Sequence, residues 1–270
     1  MIFDELLRRW DLTPDGDPIV THSSQLLPVC RGDQPAMLKV ATEPEETRGG
    51  AVMVWWEGEG AARVLAHHGA ALLLERATGT RSLIEMVRAG QDDAASRIIC
   101  GVVARLHAPR DSLPPSLVPL AEWFRELWPA AEQYSGILRR SAETARLLLA
   151  DQREVVVLHG DIHHGNILDF GPHGWLAIDP KGLIGERGFD FANTFCNPHQ
   201  EMITVRERVS RTADVISAAA QFDRTRLLQW VLAYAGLSAA WFLGGAVGDP
   251  ASAQQPIAIA ELAAEELDQN

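Results

Sequence analysis

The fold is decided by residues 155–197, which read VVVLHGDIHHGNILDFGPHGWLAIDPKGLIGERGFDFANTFCN. The apolar, β-branched start at 155–158 predicts a short buried strand, and Asp161 follows it on a turn. Asn166 comes next, and a second apolar run ends at Asp179. Two carboxylates and a carboxamide are therefore expected at the ends of short adjacent strands. Short oxygen ligands on a stiff backbone suit a hard cation that keeps waters and phosphates in its shell.

Lys39 is predicted on the third strand of a β-meander that occupies residues 18–40. Taken alone, a strand lysine with apolar neighbours most simply faces solvent. A lysine held in a site instead needs a carboxylate partner. For this role Glu46 is preferred to Glu57 and Glu59, which lie in a glycine-punctuated turn.

The segment that carries Glu46 is predicted to be a helix from about residue 43 to 56. Pro44 and the acidic residues beside it suit the first turn of a helix, where the acids could also serve only to complement the helix dipole. The pair Gly49-Gly50 in its middle weakens the helix prediction.

The order of the remaining elements predicts an α+β architecture. Two further strands, at 61–66 and 71–76, complete a five-strand antiparallel N-terminal lobe over residues 1–77. From the capping-box sequence at Ser82 onward, apolar stripes at helical spacing dominate. Residues 78–270 are therefore expected to form a mainly helical lobe that holds a small hairpin.

Composition limits the classes of partner and compartment. The 270 residues, 47% of them hydrophobic, suffice for two lobes around a cleft. The net charge of −12 disfavours nucleic acid and anionic membranes and would attract a polycation, although it serves solubility equally well. The acidic start, the absence of a long apolar run, and three scattered cysteines (Cys30, Cys100 and Cys196) predict a cytoplasmic protein with reduced thiols.

The central stretch also carries a family resemblance. His159-Gly160-Asp161, Asn166 and Ile178-Asp179 resemble the catalytic segment of kinase-like antibiotic phosphotransferases. The longer string from His159 to Glu186 is similar to the aminoglycoside 6-phosphotransferases that inactivate streptomycin, a group that includes hydroxyurea resistance kinases. This resemblance implies a bilobal protein-kinase-like fold.

The resemblance also implies roles for single residues. Asp161 would orient the acceptor hydroxyl, and Asn166 and Asp179 would hold Mg²⁺. Lys39 would fix the non-transferred phosphates of ATP, with Glu46 as its ion-pair partner.

Further residues follow from the same resemblance. His159 would order the catalytic loop, and Asp190 would brace that loop from below. The main chain from Glu75 to Ala77 would meet the adenine at the hinge between lobes. Lys181 has two interpretations, since it could stabilise the transferred phosphate or merely pair with Glu186.

The phosphate-binding turn departs from the usual pattern, because residues 21–25 contain no glycine. Ser23 and Ser24 are assigned there as hydroxyl or N–H donors to phosphate. A plain β-turn is the equally simple alternative.

The acceptor implied by the resemblance is streptomycin, phosphorylated at its 6-hydroxyl, and the protein would then confer antibiotic resistance. Because streptomycin carries guanidinium groups, acidic residues of the C-terminal part are expected to line its site. The candidates are Glu122, Glu126, Glu201 and Asp249. Hydroxyurea or another small hydroxylated compound could use the same catalytic core.

Two other classes of function fit parts of the sequence. His159, His163 and His164 could hold Zn²⁺ in a metal-dependent hydrolase, but Lys39 and Asn166 would then have no role. The chain could also be a kinase-like binding module that has lost catalysis. The retention of the lysine, both aspartates and the asparagine argues against that alternative.

Overall fold

The N-terminal part is built on an antiparallel sheet. The computed structural model describes residues 2–198, 206–244 and 249–269. In the first of these ranges six strands pair in the order β1-β3-β4-β6-β5, with β2 beside β3. Their bounds are β1 Thr13–Pro14, β2 Ile19–Val20, β3 Ser24–Arg31, β4 Gln34–Ala41, β5 Val64–His68 and β6 Ala71–Glu75.

The sheet has one strand more than the five predicted. The additional strand is β1, where Thr13 pairs with Cys30 and Pro14 with Val29. The sequence at this point has the composition of a turn, and a two-residue strand forms only because β3 offers an open edge. The five predicted strands are all present, and the α+β class is confirmed.

Two helices accompany the sheet, α1 at Asp4–Trp10 and α2 at Pro44–Trp56. The predicted helix over α2 therefore forms despite its two glycines. A Cβ atom at Gly49 would lie 1.9 Å from the carbonyl oxygen of Pro180, so this glycine allows α2 to pack directly against a distant backbone segment. The entropic cost of a glycine within a helix is offset here by a close approach that no other residue permits.

The C-terminal part is mainly helical. Its helices are α3 Leu83–Arg88, α4 Asp92–Leu106, α5 Leu120–Trp123, α6 Leu127–Tyr134, α7 Gly136–Ala150, α8 Phe189–Ala192, α9 Arg206–Ala220, α10 Arg224–Leu243 and α11 Gln254–Asp268. Short 3₁₀ helices lie at Phe124–Glu126, Gly171–His173, Asn193–Cys196 and Pro250–Ala253. Ser82 caps α3 by accepting the N–H of Glu85, as its capping-box sequence predicts. Within the described ranges, no helix is both long and apolar enough to cross a membrane.

Two small sheets support the stretch that decides the fold. The first orders β7 (Val118–Pro119), β11 (Leu183–Glu186) and β8 (Val155–Leu158), with β8 and β11 antiparallel. The second is the predicted hairpin of β9 (Ile167–Asp169) and β10 (Trp175–Ala177). The loop from 159 to 166 therefore leaves one small sheet and enters the other, which fixes both of its ends.

The main hydrophobic core joins α2 to the helical part. Val52, Met53 and Trp56 belong to the same buried cluster as the apolar faces of α4, α7 and α10, while a smaller cluster packs α1 on the sheet. Continuous packing of this kind holds α2 rigidly against the C-terminal elements. The division of the chain at residue 77 stays a prediction.

Candidate active site

The catalytic loop is held from below by Asp190. Its carboxylate accepts hydrogen bonds from the main-chain N–H groups of His159 (2.9 Å) and Gly160 (2.7 Å) and from Nε2 of His107 (2.8 Å). Burial alone would raise the pKa of Asp190, but the contacts with His107 and the loop lower it, so the buried carboxylate stays ionised. The structure thus places Asp190 where a brace of the loop must lie.

His159 is fully buried and serves the same loop. Its Nε2 donates to the carbonyl of Ile178 at 2.8 Å, and its Nδ1 accepts the N–H of Asp161 at 3.2 Å. Burial lowers the pKa of His159, and a neutral ring with one donor and one acceptor matches both contacts. The ring also stacks on Trp56, so α2 contacts the loop directly.

Asp161 is the carboxylate that this loop presents. One of its oxygens accepts a hydrogen bond from Nδ2 of Asn193 at 2.8 Å, and the other accepts Nδ2 of Asn166 at 3.2 Å. The side chain is 27% exposed, so the carboxylate is fixed in orientation and still accessible. Asn166 also donates to the main-chain oxygen of Asp161 at 2.9 Å, which sets the shape of the loop between them.

Lys39 lies on β4 and faces this loop instead of solvent. Its Nζ donates to Oε2 of Glu46, and at 2.7 Å to Oδ1 of Asp179. The lysine and glutamate side chains are 8% and 4% exposed, whereas Asp179 is 37% exposed. Burial would raise the pKa of Glu46, but Lys39 and then Lys181 lower it. The ion pair that the sequence predicts between Lys39 and Glu46 is therefore present and charged.

Lys181 lies between this ion pair and Asp161. Its Nζ is 3.1 Å from Oε1 of Glu45 and 3.2 Å from Oε1 of Glu46. Burial would lower the pKa of Lys181, but the carboxylates of Asp161, Glu46 and Glu45 raise it, so the amine stays protonated. Its main-chain N–H also donates to the carbonyl of His159 at 2.7 Å.

The predicted alternative pairing of Lys181 with Glu186 is wrong. Glu186 is fully buried at the far end of β11. Its carboxylate accepts hydrogen bonds there from Nε of Arg226 at 2.6 Å and from the indole N–H of Trp230 at 2.9 Å. Alternation along a strand and the intervening turn send the two side chains to different neighbours, which their sequence separation does not reveal.

The serine turn is tighter than the sequence indicated. Ser24 is 2% exposed, its N–H donates to Oγ1 of Thr21 at 3.0 Å, and its hydroxyl donates to Glu46 at 3.4 Å. Ser24 therefore supports the carboxylate of Glu46 and does not present a free donor to phosphate. Ser23 is half-buried in the turn, with its carbonyl accepting the N–H of Thr42.

The predicted hinge lies at the end of β6. The N–H of Glu75 donates to the carbonyl of Arg63, and its carboxylate accepts the N–H of Arg63 at 2.7 Å and contacts Nδ1 of His173 at 3.0 Å. Glu75 thus ties the sheet to the β9–β10 hairpin, while half-buried Ala77 follows it. Of these two residues, Ala77 has the more available main chain.

Two cavities meet at Asp161. The first, of about 390 Å³, is lined by carboxylates, cations and aromatic rings: Glu45, Glu126, Asp161, Arg125, Lys181, Trp123, Tyr234 and Trp241, together with Gly160. The second, of about 310 Å³, shares Asp161, Tyr234 and Trp241 and adds mostly uncharged groups: His163, Asn193, Cys196, Asn197, Ser238, Phe242, Gln255 and Pro256. A polar acceptor with cationic groups fits this combination of carboxylates and aromatic faces.

Only part of the predicted acidic lining is found there. Glu126 lines the first cavity, but Glu122 and Asp249 line neither. Asp249 instead accepts the N–H of Ala251 at the start of a 3₁₀ helix. Glu201 lies outside the described residues. Glu45, which the sequence did not single out, lines the cavity because α2 packs so closely on the segment after Asp179.

The donor set at Asn166 and Asp179 fits a hard cation. The side-chain nitrogen of Asn166 donates to Asp161, which leaves its side-chain oxygen available as a ligand. The main-chain N–H of Ile178, next to Asp179, donates to the main-chain oxygen of Asn166 at 2.9 Å and so holds the two ligand segments together. One carboxylate and one amide oxygen, completed by phosphates and water, is a ligand set typical of Mg²⁺.

The predicted zinc alternative lacks a cluster of ligands among the described residues, although Nδ1 of His164 has no hydrogen-bond partner. Both ring nitrogens of His159 are engaged, and Nδ1 of His163 accepts the N–H of Gly165 at 3.0 Å. Among the described residues, no group of three histidines, cysteines or acidic residues is placed to hold a metal. Hydrogen bonds within and beside the loop account for His159 and His163, whereas His164 is buried next to them.

Sequence reasoning missed three side chains that line both the reaction centre and the cavities. Asn193 contacts Asp161 from the segment after α8, and Tyr234 and Trp241 come from one face of α10. Two signals were available for the aromatic pair: its spacing of about two helical turns, and the resemblance of the sequence from Trp241 onward to the same phosphotransferases. Asn193 carries no motif, and its contact depends on how the chain folds back.

Comparison with known proteins agrees with this geometry. The sequence profile of a family described as aminoglycoside/hydroxyurea antibiotic resistance kinase matches residues 9–245. A streptomycin 3''-kinase of Klebsiella pneumoniae is 48% identical over 267 residues, which cover 97% of this chain and 100% of that protein. A streptomycin 6-kinase of Streptomyces glaucescens is 32% identical over 275 residues, which cover 93% of this chain and 86% of that protein.

A solved structure extends the likeness to the fold. A thermostable mutant of the aminoglycoside phosphotransferase APH(4)-Ia, in ternary complex with AMP-PNP and hygromycin B, matches with a TM-score of 0.62 and 14% identity, covering 97% of this chain and 99% of that chain. The predicted protein-kinase-like fold is thereby confirmed. With the profile and the two relatives, the conclusion is that this chain belongs to the aminoglycoside/hydroxyurea antibiotic resistance kinase family.

Proposed function

We propose that the protein is an ATP-dependent O-phosphotransferase that inactivates streptomycin. The observation that carries the proposal is that Lys39, from the N-terminal sheet, contacts Asp179 at 2.7 Å, while Asn166 contacts the accessible carboxylate of Asp161 at 3.2 Å. A buried ion pair that restrains a lysine beside such a carboxylate is the arrangement used for phosphoryl transfer, in which positioning and charge neutralisation do most of the work.

In this proposal Lys39 binds the non-transferred phosphates of ATP, and Glu46 keeps the amine in place through the contact described above. Asn166 and Asp179 hold Mg²⁺, which when bound neutralises negative charge on the phosphates. The main chain at Ala77 and the serine turn at Ser23 contact the nucleotide. The match to a kinase-fold complex with AMP-PNP supports ATP as the donor.

Asp161 accepts a hydrogen bond from the acceptor hydroxyl and directs its oxygen at the γ-phosphorus. A new P–O bond forms to the acceptor while the bond from the γ-phosphorus to the bridging oxygen of ADP breaks. The hydroxyl proton passes to the carboxylate. Lys181, charged and next to Asp161 in the same cavity, offsets the charge of the transferred group.

The acceptor is proposed from the cavities and the relatives together. Glu126 and the faces of Trp123 and Trp241 suit the guanidinium groups of streptomycin, because such cations stack on indoles and pair with carboxylates. The two relatives named for streptomycin cover nearly all of this chain.

Which hydroxyl of streptomycin is phosphorylated is inferred separately, from the relatives. The sequence resemblance pointed to the 6-hydroxyl, whereas the relative with 48% identity is named for the 3'' position and the 6-kinase relative is 32% identical. We therefore propose the 3''-hydroxyl of streptomycin as the acceptor. Reaction with a smaller hydroxylated compound such as hydroxyurea remains the alternative that the family description includes.

The deciding experiment measures ADP release by the purified protein with ATP, Mg²⁺ and each of streptomycin, kanamycin and hydroxyurea. We expect turnover with streptomycin, and phosphorus-coupled NMR of the product then identifies the esterified oxygen. Turnover of kanamycin alone would refute the substrate, and an ester at the 6-oxygen would refute only the position. A protein without turnover that still binds ATP would favour the binding-module alternative.

A further inference from the structure

Asp161 is held by two linked carboxamide side chains, those of Asn193 and Asn197, which belong to no recognised sequence motif. Nδ2 of Asn197 donates to Oδ1 of Asn193 at 3.0 Å and to its main-chain oxygen at 3.1 Å. Nδ2 of Asn193 then donates to Asp161 at 2.8 Å. Because the side-chain oxygen of Asn193 accepts from Asn197, its nitrogen must be the atom that faces Asp161.

The hydrogen bonds from Asn197 to Asn193 and from Asn193 to Asp161 are distinct from the contact that Asn166 makes with Asp161. Asn166 binds the opposite oxygen of Asp161 at 3.2 Å, and it belongs to the same loop as that aspartate. Asn193 approaches from a 3₁₀ helix and is 7% exposed, so its geometry is set by packing and not by the loop. Two amides from two elements therefore fix both oxygens of the carboxylate.

We propose that Asn193 is a positioning residue for the acceptor-orienting carboxylate of Asp161, and that Asn197 acts through it. This inference rests on the proposed phosphotransferase function. A carboxylate with one amide on each oxygen cannot rotate, and each oxygen keeps a lone pair for the acceptor hydroxyl. Without Asn193, Asp161 gains rotational freedom and fewer bound acceptors are aligned for in-line attack.

Both asparagines also line the second cavity, so a direct contact with the acceptor is the competing explanation. The two roles differ in kinetics. A lost positioning contact lowers kcat with the KM for acceptor nearly unchanged, whereas a lost binding contact raises that KM.

The test compares Asn193→Ala, Asn197→Ala and the double variant with the wild-type protein, under saturating ATP. We expect kcat to fall roughly tenfold to a hundredfold for Asn193→Ala, as for loss of a hydrogen bond to a charged group. A smaller loss of several-fold is expected for Asn197→Ala. The double variant should be no worse than Asn193→Ala, because residues in one chain act non-additively.

An isosteric variant gives a readout that a merely structural role would not move. Asn193→Asp keeps the shape but replaces the N–H donor to Asp161 by an acceptor, so kcat should fall at least as far as in Asn193→Ala with the Tm near that of wild type. Gln152→Ala is the matched control: it removes a half-buried carboxamide that accepts the N–H of Glu186 beside the start of β8, whereas Asp161 follows the end of that strand, and it should leave kcat unchanged.

Three outcomes would overturn the inference. They are a raised KM for acceptor at unchanged kcat in Asn193→Ala, additive losses in the double variant, and a wild-type kcat in Asn193→Asp. A wild-type protein that phosphorylates none of the acceptors would overturn the proposed function, and this inference with it.

Discussion

Gly49→Ala tests whether the close packing of α2 on the segment after Asp179 builds the proposed nucleotide site. The added Cβ atom would lie 1.9 Å from the carbonyl oxygen of Pro180. Reaching the 3.4 Å at which ordinary contact begins requires a separation of about 1.5 Å. Since the obstacle is backbone, a side-chain rotation cannot supply it, and α2 must move.

The expected magnitude follows from two opposing effects. Overpacking of a buried contact costs about 1–3 kcal/mol, and the better helix propensity of alanine returns about 1 kcal/mol. The net loss of up to roughly 2 kcal/mol should lower the Tm by up to about 8 °C for a domain of this size. Glu46 lies one helical turn before Gly49 on the same face, so its contact with Lys39 should weaken and nucleotide affinity should fall several-fold.

The assay pairs thermal unfolding with titration of a fluorescent ADP analogue. Gly101→Ala is the control, because Gly101 lies within α4 and a Cβ atom there meets no atom within 4 Å. That variant should gain about 0.5–1 kcal/mol and bind nucleotide as wild type does. If Gly49→Ala were as stable as Gly101→Ala and bound ADP equally well, the packing argument would be refuted.

Three further predictions concern single side chains. Asp161→Ala should lower kcat by about 10²–10⁴-fold while ADP affinity stays within a few-fold, and surviving transfer would contradict the mechanism. Arg226→Met should lower the free energy of unfolding by about 3–5 kcal/mol, measured with denaturant, because it leaves the buried carboxylate of Glu186 without its cation. Arg140→Met breaks the exposed ion pair with Asp268 and should lower it by less than about 1 kcal/mol. Equal losses in the two variants would refute the distinction between buried and exposed pairs. Burial raises the pKa of Cys100 from 9.0 to about 12, so between pH 9 and pH 12 the unfolded chain loses this proton first, and this thiol should lower stability by about 1.4 kcal/mol per pH unit. Burial also raises the pKa of Cys196 to about 12, so Cys100→Ala should reduce the alkaline slope by about 1.4 kcal/mol per pH unit without abolishing it, and an unchanged slope would refute the contribution of Cys100.

Much of the site could be read from local sequence. The spacing from Asp161 to Asn166, the strand before them and the hairpin after them are short-range features, so the turn and strand signals located them correctly. The partner of Lys39 was also identified, because acids in the first turn of a helix beside a strand lysine form a local pattern. The pairing of Lys181 with Glu186 was wrong, since the carboxylate that contacts its amine belongs to Glu45 of α2 and not to the segment of Lys181 itself.

The α+β class, the order of the elements, the family, and the residues of the loop that presents Asp161 follow from the amino-acid sequence. Those features depend on periodicity and short spacing, which a single chain displays directly. Only the folded chain shows that Glu45 and Lys181 line the same cavity as Asp161 and that Asn193 holds Asp161. Such contacts join residues that are far apart in the chain, and packing, which is cooperative and non-local, sets their distances.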